Sequence, residues 1–359
     1  MKNTSSPFHA QVGLSLIELM VSMLIAAFIF SGVLTVMLSG RNSHVAEQES
    51  AVLQENQRFA TSLLTRDIRM AGSFGCASLQ RVYLANVISS TSLNDGGLIG
   101  ETAIIGYEGG AGTGGFPDSF RSNAYEGSDA LILRYADPDF SVLIKEHVAS
   151  SARMETYDAH RFNQNDVLMV IDSTCRHAGL FQHTSTAAAE IEHAQSGGNC
   201  TTVLFAQDKN ISCSSPSCNG NSCDGFTPTS YSSGSEVIKY VANAYYIGPS
   251  SVIPGTPALK RQVLSGASTR SEEIAQGVES MELLYGVDSD ADGDVDRFVG
   301  ADQVTNWDTV IAVRFSLVLR SQTEMFDSAQ TKTINGVTYN DRFIRQLVSN
   351  TVQIRNRGL

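Results

Sequence analysis

Two sets of carboxylates have types and spacings that suggest chemistry. The first is Asp288-Ser-Asp290-Ala-Asp292-Gly293-Asp294-Val-Asp296. Aspartates at every second position, with glycine sixth, match the start of a calcium loop. Asp288, Asp290 and Asp292 would offer side-chain oxygens at the first, third and fifth loop positions. Asp294 would give a backbone carbonyl, and Asp296 a ligand directly or through water. Val299 stands at the twelfth position, where an EF-hand needs a bidentate glutamate, and no helical pattern flanks the run. The expectation is a calcium-binding hairpin loop rather than an EF-hand, with Asp302 a candidate to complete it. The competing reading is a solvated acidic turn. Mutual repulsion among five aspartates within nine residues argues against leaving such a loop bare.

The second is a single carboxylate, Glu18. Gly13-Leu14-Ser15-Leu16-Ile17-Glu18 opens an apolar run to Leu38, and Glu18 is the only ionisable side chain among those 25 residues. A helix of that length spans a bilayer. A carboxylate inside it costs about 3 kcal/mol on insertion scales, so a partner is expected. A secretory signal peptide would have an apolar core of about 7–15 residues followed by a small-residue cleavage site. This run is longer and lacks the site. An ordinary anchor would need neither Gly13 nor Glu18.

Six cysteines, Cys76, Cys175, Cys200, Cys213, Cys218 and Cys223, lie beyond this segment. An even count after an export segment suggests disulfides formed in an oxidising compartment, with the pairing open. Zinc is the weaker reading, because Cys213-x4-Cys218-x4-Cys223 lacks a Cys-x2-Cys pair and His193 is the nearest upstream histidine. The net charge of -12 argues against nucleic acid as a partner. No H-E-x-x-H or G-x-S-x-G occurs. Gly110-Ala-Gly112-Thr-Gly114-Gly115 formally fits a dinucleotide fingerprint, but Phe116-Pro117-Asp118 follows it rather than a helix start. Nothing proposes an enzyme. Arg355 and Arg357 read as solvated or ion-paired.

These residues need elements to position them. No proline or glycine occurs between Arg41 and Ala71, and Val45, Val52, Phe59, Leu63 and Ile68 recur at helical spacing, with Leu53, Ala60 and Leu64 beside them. The helix should therefore run from Leu14 to a stop at Gly72, roughly 87 Å if unbroken. No sharp kink is expected, since the first proline after the leader is Pro117. From Cys76 onward the signals are mostly β. Residues 129–135, 166–172, 236–247, 279–287 and 309–320 read as strands, and 343–354 as a last strand. Asn335-Gly336 between two short β runs signals a type I′ hairpin. Residues 91–128 and 208–235 read as loops or insertions.

The Gly13–Glu18 spacing resembles the class III signal of type IV prepilins and pseudopilins. That resemblance implies cleavage between Gly13 and Leu14 by a prepilin peptidase and N-methylation of Leu14. It also implies a Glu18 carboxylate paired with the Leu14 amine of a neighbouring subunit. Four further stretches resemble the PilW family of minor type IV pilins: Gly127–Tyr135, Gly277–Phe298, Trp307–Ser316 and Thr351–Arg357. Residues 140–235 carry no such motif. The fold implied is α+β and pilin-like, a long N-terminal α-helix packed on a β-rich C-terminal head. Residues 1–13 would be the leader, 14–40 the transmembrane or filament-core helix, 41–72 the second half of that helix, and 73–359 a periplasmic or extracellular head. The function implied is that of a minor pilin, not an enzyme. It would prime pilus assembly and sit in or at the filament tip by helix–helix packing. The implied partners are PilV-, PilX- and FimU-like minor pilins, the major pilin, a tip adhesin and the inner membrane, with the cell surface as destination. A type II secretion pseudopilin of the J type and a calcium-dependent tip adhesion module are the alternatives.

Overall fold

A computed structural model describes residues 15–79, 81–89, 97–110, 115–195, 198–205, 209–213, 218, 219, 222, 223, 229–355 and 357. Residues 1–52 and 53–359 form two compact units. Leu16–Met70 is one α-helix of 55 residues, α1, and neither Gly32 nor Gly40 interrupts it. In the first unit its apolar side chains are exposed from Leu16 to Leu38. The helix is long and apolar enough to cross a membrane once.

In the second unit α1 turns Leu53, Ala60, Leu64 and Ile68 into the core, while Phe59 stays exposed, as does Val52 at the end of the first unit. This corrects the expectation that put Val52 and Phe59 on the packed stripe. One residue turns a helix by about 100°, so two neighbouring stripes compete. The buried one carries the small Ala60, which lets the sheet approach closely. The helix stops as expected: Gly72 takes φ 77, and its N–H bonds to the Arg134 carbonyl at 2.9 Å.

The strands are β1 (Tyr83–Asn86), β2 (Ile104–Tyr107), β3 (Ala130–Val148), β4 (Arg153–Thr156), β5 (Val167–Ile171), β6 (His177–Gln182) and β7 (Glu190–Glu192). Three two-residue strands follow, β8 (Ile211–Ser212), β9 (Cys218–Asn219) and β10 (Ser222–Cys223). The rest are β11 (Glu236–Pro249), β12 (Pro257–Ser265), β13 (Ser268–Gln276), β14 (Val278–Val287), β15 (Arg297–Val299), β16 (Val310–Arg320), β17 (Gln330–Ile334), β18 (Val337–Asp341) and β19 (Arg345–Gln353). A short helix, α2, spans Asp118–Arg121. The long central strands β3 and β11 pair antiparallel at the heart of an eleven-stranded sheet. A four-stranded sheet follows in the order β15-β14-β16-β19.

The apolar runs called strands are strands because both of their faces are buried. Leu131 and Leu133 join the core that contains Leu64, Ile68, Tyr285 and Phe315. Their alternates, Ala130 and Ile132, join a second core with Phe74, Phe120 and Tyr246. A strand buried on both faces reads as a continuous apolar run. β3 and β11 shift register where Ile238 faces Ser141 but Lys239 faces Asp137. Pro138 sits in that bulge, where no ladder donor is lost. Beyond it the two strands build a third core around Ile144, Phe181 and Val237.

The Asn335-Gly336 turn is as expected. Both residues take positive φ, 50° and 79°, and join β17 to β18. Residues 91–128 correct the loop expectation, because they contain β2 and α2. Four β residues with no clear alternation gave no period to read; β2 is held by its pairing with β3. The β12–β13 hairpin was also unreadable, since Arg270, Glu272 and Glu273 mask its pattern. Disulfides join Cys76 to Cys175 and Cys200 to Cys213. Cys223 is also disulfide-bonded, and the backbone of Cys218 lies opposite it across the β9–β10 pair. With those thiols oxidised, the zinc reading falls.

Candidate functional site

The aspartate run forms the turn between β14 and β15. Asp288 is buried, and its two carboxylate oxygens accept the Ala291 and Gly293 N–H groups at 2.7 and 3.0 Å. Positive φ at Ala291 and Gly293, 62° and 92°, wraps the turn around it. Asp296 closes the loop by accepting the Ser289 N–H at 2.6 Å. The result brings Asp288, Asp290 and Asp296 together, with one carboxylate oxygen from each lying within 4.8 Å of the others. Two oxygens on one calcium ion lie no more than about 5 Å apart, so this spacing suits one. Asp292 and Asp294 are outside that group. The Asp292 carboxylate instead accepts the Asp294 N–H at 2.9 Å. Asp302 is outside it too. Its carboxylate lies near Gly300 on the side of Glu108. For Asp290 the Asp292 N–H favours the charged form, but repulsion from Asp292, Asp296 and Asp288 leaves the carboxyl above its ordinary pKa.

Glu18 lies in the first turn of α1 and is exposed, and its carboxylate accepts the Ser15 N–H at 3.3 Å. Gly13 and Leu14 lie outside the described residues, as do residues 111–114 of the glycine-rich stretch.

The stretches that carried the resemblance meet in space. Ser128 and Asp129 staple β3 to β14. Asp129 accepts the Leu283 N–H at 2.7 Å and the Gly109 N–H at 2.9 Å, and Ser128 Oγ accepts the Met281 N–H at 2.9 Å. Arg134 donates to the Leu98 and Thr102 carbonyls at 2.7 and 2.8 Å and to that of Gly97, which shapes the 97–102 segment. Near the C-terminus Arg357 is not solvated. Its side chain is buried, donates to the Trp307 and Val310 carbonyls, and pairs with Asp308 at 3.4 Å. Burial pushes its guanidinium below the usual range.

Sequence reasoning missed Asp67. It is 2% exposed. Its Oδ2 accepts from Asn243 Nδ2 at 2.8 Å and from the Tyr245 hydroxyl at 2.5 Å, and Arg261 lies 3.9 Å away. These bonds seat the last turns of α1 on β11. A signal existed, because Asp67 falls on the stripe of Ala60, Leu64 and Ala71, where a carboxylate has to find buried donors.

The Asp129 staple sits among acids. Burial, helped by Glu108 and Asp302, raises the Asp129 carboxyl to about 6 against the two N–H donors. Burial, then Asp129 and Glu108, raises Glu282 to about 7. The folded state thus keeps a proton on Glu282 that the unfolded chain releases at ordinary carboxylate pH. Stability from this site is highest at low pH and is lost as pH rises toward 7. Burial acts oppositely on His147, lowering it to about 4. Comparing one variant with its parent isolates the acid. Glu282→Gln should melt higher than the parent at pH 8 and at the same temperature at pH 4. Equal melting at pH 8 would refute this.

No curated protein and no solved structure matches the chain. Residues 244–356 match the family described as PilW, Type IV Pilus-assembly protein W. The matched span runs from within β11 to the end of β19 and includes the aspartate loop, Trp307 and the whole four-stranded sheet. That match, over about a third of the chain, together with the long apolar N-terminal helix and the β-rich head, supports a PilW-family type IV pilus protein.

Proposed function

We propose that the chain acts in type IV pilus assembly as a minor pilin, anchored once in the inner membrane with its head in the periplasm, and later carried in or at the tip of the filament. The family match over 244–356 carries this reading, and an apolar helix opened by Glu18 supports it. In this reading a peptidase cuts between Gly13 and Leu14, and Leu14 is methylated. Glu18 pairs with the new amine of a neighbouring subunit, because opposite charges in a low-dielectric core neutralise each other. The partners are other minor pilins of the PilV, PilX and FimU types, the major pilin and a tip adhesin. The test is Glu18→Ala, which should still be cleaved but should leave cells without normal pili. Normal pilus numbers in that mutant would sink the assembly role.

A second reading, calcium binding at the β14–β15 turn, is favoured by the grouping of Asp288, Asp290 and Asp296. Isothermal titration of the full-length chain with calcium should give a binding heat. Asp290→Asn should weaken the affinity at least about tenfold, because it removes one charged ligand. Asp292→Ala should change it little. No calcium heat from the parent chain would remove the metal.

A further inference from the structure

Five of the chain's seven histidines lie between 147 and 193, in the part of the head outside the matched span 244–356. Two of them meet there. His147, near the end of β3, is 6% exposed, and His193, just after β7, is 0% exposed. Their Nε2 atoms lie 3.1 Å apart. The Tyr231 N–H donates to the other nitrogen of His147, Nδ1, at 3.0 Å. That bond fixes the protons. Nδ1 of His147 is an acceptor, so the ring's proton sits on Nε2 and is donated to Nε2 of His193. His193 then carries its own proton on Nδ1.

This chain of bonds is complete when both rings are neutral, and one more proton breaks it. Placed on His193 Nε2, the proton faces the His147 Nε2–H. If His147 shifts its own proton to Nδ1 to accept from His193, that proton faces the Tyr231 N–H. A metal ion between the two Nε2 atoms fails for the same reason, because it would also push the His147 proton to Nδ1.

Among the described residues no carboxylate bonds to either ring. Met154 of β4 lies opposite His147 in the ladder, and Phe181 of β6 packs on His193. Tyr231 packs on His147, and its hydroxyl donates to the Leu204 carbonyl at 2.9 Å. Lys145, Arg153, Glu155 and Glu190 on the same strands pair with one another nearer the surface. Glu146 and Glu192, next to the two rings in sequence, are more exposed and stand on the alternate side. Burial holds His147 at about 4, and burial and then the His147 ring hold His193 well below its ordinary value. His183, buried on β6's far end, accepts the Glu192 N–H on Nδ1 at 3.3 Å and is lowered by burial in the same direction.

The elements that the pair joins are slight. β4 and β7 have four and three residues. Among the described residues β7 pairs only with β4. Beyond it the His193 N–H donates to the Ala152 carbonyl at 3.0 Å. We propose that β4, β7 and the Tyr231 segment form a flap that acid opens, with the His147–His193 pair as its latch. Opening uncovers Met154, Phe181 and Ile191 of the third core and leaves the four-stranded sheet folded. The sign follows from the neutral pair. Rings freed by opening take up protons near about 6.5, and the closed ones do not. The flap is therefore tightest above that pH and loosens as pH falls toward about 4. Each ring should raise the opening equilibrium about thirtyfold between roughly pH 7.5 and 5.

The test is hydrogen–deuterium exchange of the full-length chain in detergent, read by mass spectrometry and corrected for the intrinsic effect of pH. Amides of β4, β7 and residues 229–235 should lose protection about a hundredfold or more over that range, while those of β14 and β16 change by less than about threefold. His193→Gln keeps an acceptor for the His147 Nε2–H and takes up no proton, so the acid loss should shrink by about tenfold or more. His147→Asn keeps an acceptor for the Tyr231 N–H and should do the same if His193→Gln fails to fold. Unchanged protection of the flap in acid, an equal loss in β14 and β16, or an undiminished loss in the variant that folds would each overturn the proposal.

Discussion

Asp67→Ala is expected to lower the melting temperature of the chain by on the order of 10 °C. The variant leaves the Tyr245 hydroxyl and the Asn243 amide without their shared acceptor and the Arg261 guanidinium without the carboxylate 3.9 Å from it. Breaking a buried charged network from one side costs about 3–5 kcal/mol, here chiefly through the buried Tyr245 hydroxyl, since Arg261 keeps Glu272 at 2.6 Å and the Asn243 amide keeps the Tyr135 hydroxyl. In a unit of this size each kcal/mol moves the midpoint by roughly 2–4 °C. Asp67→Asn keeps an acceptor but loses the charge, and should fall between the two. A thermal melt of the three chains side by side decides it. A loss of less than about 2 °C for Asp67→Ala would mean that the apolar stripe alone seats α1 on the sheet.

Replacing Cys76 and Cys175 together by serine should cost about 4–5 kcal/mol. The bridge spans 99 residues, and the restriction it places on the unfolded chain grows with the logarithm of loop length. It joins the segment just after α1 to the turn between β5 and β6, which the helix and sheet contacts alone would have to find by diffusion. The Cys200–Cys213 bridge closes a loop of 13 residues and should be worth about 3 kcal/mol by the same argument. Denaturant midpoints of the two double-serine chains, measured oxidised, should rank in that order. The reverse order would show that local strain or residual structure outweighs chain entropy at these bridges.

Much of the candidate site was legible because its signals are local. Asp288 to Asp296 announce an acidic turn through spacing alone, and Asn335-Gly336 announces a hairpin because only such residues accept positive φ twice in succession. The strands at 130 and 167 were legible because burial on both faces leaves a continuous apolar run, and the one at 310 because Ile311 to Leu319 alternate with Ala312, Arg314 and Ser316. What was illegible depended on partners far along the chain. Which aspartates converge is decided by how Asp288 and Asp296 take up the backbone donors of the turn, and this excludes Asp292, which the spacing had included. Val52 and Phe59 have as good a helical period as Leu53 and Ala60. The choice between them was made by a sheet whose strands lie about 200 residues away.

By itself the sequence determined the apolar helix, its single carboxylate at Glu18, the acidic turn, most long strands and the family to which they point. These follow from periods and turn chemistry that act within a few residues. The tertiary structure alone decided the cysteine pairing, the burial of Asp67 and Arg357, and the acid-rich staple at Asp129. Each of these depends on which distant backbone donors and acceptors come to lie opposite one another. A chain of side-chain types does not fix that until the sheets have formed and their register is set.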